Sequence, residues 1–158
     1  AGLPSIVSTG PLSITVNYGI NMTGKIYIVV YNYNTGPISS AFCKAEASQP
    51  VPSGTRVANA IITINAGDVN NVLQSILTVY NASQIHSVWL VAESSGGTLQ
   101  ATPTKLLATT LPCPKIQLFT FFGNIGECVN TGAVGAFQAA PLGVLPTGGL
   151  KGTTWNID

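Results

Sequence analysis

Between Leu12 and Ile20 the chain alternates without a break. Leu12, Ile14, Val16, Tyr18 and Ile20 fall on one side, and Ser13, Thr15, Asn17 and Gly19 on the other. Successive side chains of a strand point to opposite faces, so this pattern predicts a half-buried strand. After Gly24-Lys25 comes Ile26–Tyr31, an unbroken apolar and aromatic run. Such a run predicts a central strand buried on both faces. Asn32 to Pro37 has turn chemistry and ends it. Ile38–Ala47 reads as a further strand carrying Cys43, Pro50–Gly54 as a loop, and Arg56–Ile64 as a β-branched strand.

One stretch departs from the period of two. In Asp68–Tyr80 the apolar positions Val69, Val72, Leu73, Ile76, Leu77 and Tyr80 fall at helical spacing, behind Asp68 as a candidate N-cap. A short helix over about 68–80 is therefore expected. Strand signals resume at Ile85–Glu93, Thr98–Thr109, Lys115–Phe122 and Cys128–Ala139, separated by turn sequences. Strands this short with turns this frequent predict an all-β, Ig-like antiparallel sandwich of about seven to ten strands. No long repeat or linker interrupts it. The Gly- and Pro-rich tail, 141–158, reads as an edge strand or an ordered cap.

Charge changes the picture most. Only 7% of the 158 residues are charged, for a net charge of +1, where ordinary domains carry about 25%. No basic stripe is present for nucleic acid. With 46% hydrophobic residues, disorder is excluded as well. A surface built from Ser, Thr, Asn and Gln has little charge to hold copies apart, so either solubility comes from elsewhere or assembly is intended. Asn21-Met22-Thr23 and Asn81-Ala82-Ser83 match the N-glycosylation acceptor pattern, placing N-linked glycans at Asn21 and Asn81. The chain begins at Ala1 without methionine, as after removal of a signal peptide, and holds no apolar run of spanning length.

Catalytic chemistry finds little support. The single histidine, His86, lies mid-strand and reads as a hydrogen-bonded structural residue. The carboxylates Glu46, Asp68, Glu93, Glu127 and Asp158 are scattered, and Thr147-Gly148-Gly149 lacks the strand–loop–helix setting of a phosphate cradle. No enzyme, metal or cofactor is expected. Of the three cysteines, Cys113 and Cys128 would close the shortest loop and are the preferred disulfide, with Cys43 free or the alternative partner. The aromatics, including Tyr33, Trp89, Phe119 and Trp155, fall mostly in strand runs and read as core.

The N-terminal stretch Ala1–Thr9 is a different object: extended, apolar at Leu3, Ile6 and Val7, and set off by Gly10-Pro11. Residues 1–11 are accordingly read as an extension and 12–158 as the sandwich domain. An extended segment can complete the sheet of a neighbouring copy, and a contact that does not close generates a fibre. With this extension, the strand pattern, the low charge and both glycan acceptors, the chain resembles the subunits of donor-strand-complemented pili. These are the bacterial chaperone–usher pilins and the archaeal thread filament subunits. The resemblance implies an extracellular homopolymer for adhesion or biofilm formation, with Leu3, Ile6 and Val7 buried in the next subunit. Thr153–Ile157 is the alternative donor. A monomeric carbohydrate-binding adhesin, or a surface-layer or capsid subunit, is the competing expectation.

The two acceptor triplets make a direct prediction. Native material should exceed the 16.3 kDa of the bare polypeptide in an intact-mass measurement, and deglycosylation should restore it. A native mass equal to the bare chain would exclude modification at both Asn21 and Asn81.

Overall fold

A computed structural model describes residues 2–113 of the chain. By internal contacts the chain divides into two compact units, Ala1–Leu111 and Pro112–Asp158. The expected strands at Lys115–Phe122 and Cys128–Ala139 and the C-terminal tail lie outside the described residues. The first unit is mostly β, with two antiparallel sheets and one short helix. No helix among the described residues is long and apolar enough to cross a membrane.

The first sheet has the order β1 (Ser5–Thr9), β2 (Ser13–Tyr18), β5 (Leu73–Thr78). The second has the order β4 (Arg56–Ile64), β3 (Gly24–Tyr31), β6 (Ile85–Ser94), β7 (Thr104–Thr109). Strand β2 realises the alternation of its sequence: Ile14, Val16 and Tyr18 are buried while Ser13, Thr15 and Asn17 are not. Those three side chains join Ile26, Ile28 and Val30 of β3 and Val88 and Leu90 of β6 in one core between the sheets. Strand β3 lies between β4 and β6 and is buried from Ile26 to Tyr31.

Two expectations are corrected by the structure. Ile38–Ala47 is not a strand: it holds the helix α1, Ser40–Glu46. Ser39 caps it, its hydroxyl accepting a hydrogen bond from the Phe42 N–H. Ala, Lys and Glu favour the helix, and Cys43 and Ala47, one turn apart, are buried against the sheet. The second correction concerns the helix expected over 68–80. Asp68 ends a 3-10 turn (Ala66–Asp68), its carboxylate accepting from the Asn65 N–H. Asn70 then takes a left-handed conformation, φ 62°, which no helix continues through. Residues 73–78 become strand β5, paired with β2 from Ser13↔Thr78 to Tyr18↔Leu73.

Helical spacing and strand alternation coincide at Leu73 and Leu77, which explains the misreading. In the strand Leu73 and Leu77 turn toward the core, whereas Ile76 is 68% exposed. The expected strand Thr98–Thr109 is shorter, with only Thr104–Thr109 in the ladder of β7.

Gly24 allows β3 and β6 to meet. A Cβ there would lie 1.9 Å from the Glu93 carbonyl oxygen, which is backbone and cannot swing aside. Gly24→Ala should therefore destabilise the domain by about 1–3 kcal/mol in urea unfolding. Gly67→Ala, where nothing lies within 4 Å of the added Cβ, should have little effect. Equal stability of the two variants would refute this constraint.

Candidate interaction surface

The N-terminal segment folds back on its own chain. Strand β1 pairs antiparallel with β2, with Ser5 opposite Asn17, Ile6 opposite Val16, Ser8 opposite Thr15 and Thr9 opposite Ile14. The register shifts at Val7, a bulge that turns this side chain outward, 50% exposed. The turn after β1 is closed by the Gly10 N–H donating to the Ser13 carbonyl at 2.8 Å. Among the described residues β1 is the outer strand of its sheet, laddered to β2 alone.

Of the three proposed anchors, only Ile6 packs on the inter-sheet core. Leu3 is 44% exposed and borders a hollow with Gly19, Ile20, Asn21, Asn70 and Asn71.

Both glycan acceptors are exposed. Asn21 lies in the β2–β3 connection, at the end of the sandwich where Gly24 meets Ser94. Asn81 lies at the opposite end, its carbonyl accepting from the Thr110 hydroxyl at 2.8 Å. Cys43 is a free thiol, fully buried, and burial pushes its pKa up to about 12, so it stays protonated and unreactive. Cys113 is disulfide-bonded. Cys128, the partner expected for it, lies outside the described residues.

The outer face of the second sheet carries polar groups that the linear sequence does not bring together. Tyr27, Val29, Tyr31, Trp89 and Val91 pack under Cys43 and Ala47 of α1. At one end Lys44 pairs with Glu93 at 2.7 Å, while the Tyr27 hydroxyl donates to the same carboxylate. At the other end the buried Arg56 pairs with Glu46 and donates to the Pro50 carbonyl at 2.9 Å. The Trp89 indole N–H donates to the Thr35 hydroxyl at 2.7 Å, and that hydroxyl contacts Ser87. No local motif announces these links, because the partners stand ten to more than fifty residues apart.

His86 is completely buried, with Nδ1 2.9 Å from the Gln84 carbonyl. An acceptor there requires the Nδ1–H tautomer, which leaves buried Nε2 without a partner. Burial holds its pKa below the usual imidazole range. Of the described aromatics, Tyr18, Tyr27, Tyr31 and Trp89 are buried, while Tyr33 and Phe42 are exposed. Phe119, Phe121, Phe122 and Trp155 lie outside the described residues.

No protein family, characterised protein or solved structure matches this chain. The surface therefore has to be interpreted from its own chemistry. Among the described residues its ion pairs tie α1 to the second sheet.

The titrating groups fix a pH dependence. The Lys44 ammonium and the Tyr27 hydroxyl hold Glu93 below the usual carboxylate range. Its contribution is therefore present above that range and lost as pH falls through it. His86, kept neutral by burial, favours the unfolded state once pH drops below about 6.5. Thermal unfolding temperature should fall in two stages on acidification. Glu93→Gln should flatten the lower stage and leave the upper one. An unchanged lower stage would show that this cluster does not couple to folding.

Proposed function

We propose that the protein is the structural subunit of an extracellular homopolymeric filament, joined head-to-tail by its N-terminal strand. The observation that carries this reading is the peripheral character of β1. Among the described residues it is an outer strand with one ladder partner, a bulge at Val7 and one side chain on the core. Gly10-Pro11 lies at its inner end. A segment held this way can leave its own sheet and fill the same position in another copy.

Exchange replaces each contact with an identical one, so the ladder beside β2 gains nothing from it directly. The attached segment has a high effective concentration at its own site, which favours closure within one chain. Polymer growth therefore requires copies to meet before β1 settles, or an added gain where Leu3 and Val7 become covered. Burial of each of these side chains is worth roughly 1.5–3 kcal/mol. The near-neutral surface removes the repulsion that would separate closely stacked copies.

N-linked glycans at Asn21 and Asn81 supply the solvation that charge does not. Asn21 borders the same hollow as Leu3, which puts a glycan beside the N-terminal tip of the donated strand. Self-association is the principal partnership in this reading, at the cell surface, in adhesion or biofilm formation.

Strand donation has a direct chemical test. Ser8 and Thr15 are opposite one another in the β1–β2 register. In a Ser8→Cys, Thr15→Cys double variant expressed in the native host, donation links successive copies by disulfides. Surface material should then run as a ladder of oligomers on a non-reducing gel and collapse to one band on reduction. Filaments whose subunits carry only intrachain 8–15 disulfides would overturn N-terminal donation. Absence of any filament by electron microscopy in the unmodified host would overturn the filament itself.

A further inference from the structure

His86 lies in the core between the sheets, at one end of a chain of hydrogen bonds that reaches the N-terminal strand. On β6 it shares the face of Val88 and Leu90 and stands opposite Ala108 of β7, all of them core residues. The Gln84 carbonyl, 2.9 Å from His86 Nδ1, also accepts from the Thr110 N–H at 3.0 Å. The buried Thr110 hydroxyl accepts from the Gln84 N–H at 3.1 Å and donates to the Asn81 carbonyl at 2.8 Å. One residue further, the Leu111 carbonyl accepts from the Ser83 N–H and the Leu111 N–H donates to the Gly10 carbonyl, both at 3.1 Å. Gly10 follows the last residue of β1, so this bond ties the β1–β2 turn of the first sheet to the end of the second. Ser83 takes a left-handed φ of 53°, uncommon for a residue with a side chain. The bonds around it hold the turn against that preference.

We propose that His86 is an acid-sensitive latch on β1: a proton on its ring opens the clamp formed by residues 83–86 and 110–111 and frees Gly10 with the strand before it. With Nδ1–H donating to Gln84, a proton from solvent enters at Nε2, which is buried and has no acceptor among the described residues. A buried charged donor without a partner is costly, and the ring escapes that cost by reaching water. No charged side chain is positioned to offset it. The ionisable groups of the surrounding core are Tyr18 of β2 and Tyr80 beyond β5. Tyr27 and Tyr31 of β3 and Lys105 of β7 belong to the other face of the second sheet, with Trp89. Arg56 of β4 and Glu93 of β6 are paired with Glu46 and Lys44 of α1, and Lys25 is exposed. His86 reaches water by displacing Gln84, to which its ring is bonded, and Gln84 carries Thr110 and Leu111 with it. Gly10 then loses Leu111, and β1 keeps the ladder to β2 with its inner end loose.

The direction of the switch follows from the two environments of the ring. In the closed form burial favours the neutral imidazole, whereas the opened ring titrates near the ordinary value of about 6.5. Above that pH the latch is shut. Below it, opening gains about tenfold per pH unit until the closed ring also takes the proton. The latch is a property of the single chain. Its use in assembly rests on the filament reading: acid returns β1 to the unsettled state from which it can be donated to another copy.

The chain holds one histidine, so NMR of labelled protein follows this ring without ambiguity, while amide hydrogen exchange, corrected for the intrinsic rate at each pH, reads strand opening. Between about pH 7.5 and about pH 5, protection of the β2-bonded amides of Ser5–Thr9 should fall about tenfold relative to Ile26–Val30 of β3, over the range in which the ring titrates. His86→Gln, whose amide can still donate to the Gln84 carbonyl and takes no proton, should keep the protection of β1 constant over the same range. Equal loss of protection in β1 and β3 would overturn the latch, because the whole domain would then be opening together. Unchanged protection of β1 across the ring titration would overturn it as well. Both results are read on the unmodified chain, so the proposal is decided even if His86→Gln does not fold. None of these measurements needs a polymer: a latch that opens in a protein that forms no filament at any pH would leave the latch standing and overturn the filament reading.

Discussion

Everything described in the first unit depends on β3 being buried on both faces. Ile26, Ile28 and Val30 face the first sheet, while Tyr27, Val29 and Tyr31 face the other way. A strand of this composition cannot leave either face in water. Each fully buried aliphatic side chain contributes roughly 1.5–3 kcal/mol, so exposing one face would remove a large part of the domain's stability. The first sheet covers one side. The other requires a third layer, which α1 and the segments carrying Ile38 and Leu99 provide. The helix is thus a consequence of the strand it covers.

The third layer explains where the few charges went. Among the described residues, Glu46 and Glu93 are both ion-paired, to Arg56 and Lys44. Each pair ties α1 to the sheet, and each carboxylate also takes a tyrosine hydroxyl, from Tyr31 or Tyr27. Lys44 and Lys105 further lie over the rings of Tyr27 and Trp89, 5.5 and 5.4 Å from their centres. Charge is used here to fasten one layer to another, and the outward faces keep hydroxyls and amides. Among the described residues Lys25 is an exposed exception.

Several features were legible from the sequence because they depend only on neighbouring residues. The alternation Ser13–Tyr18 requires one wet and one dry face, whatever lies opposite. The run Ile26–Tyr31 requires burial on both sides, and Asn32–Pro37 a turn. Low charge and the two glycan acceptors are properties of the chain itself. The prolines and glycine that bound the N-terminal segment were visible too, and they delimit β1.

Tertiary structure decided the rest. Leu73 and Leu77 satisfy a helix and a strand equally well, and only the vacant ladder beside β2 selected the strand. Ser40–Glu46 was free to be a helix because the outer face of β3 needed a cover wider than a strand. Ile6 and Val7 are neighbours in a strand and face opposite ways, so only the pairing of Ile6 with buried Val16 decided which of them reaches the core. The partners of Lys44, Arg56 and Trp89 stand far away along the chain, so their pairing existed only once the sheets had formed. Local periodicity can state that a face must be buried; it cannot state what will bury it, because that is settled by competition among all the surfaces that the folded chain makes available.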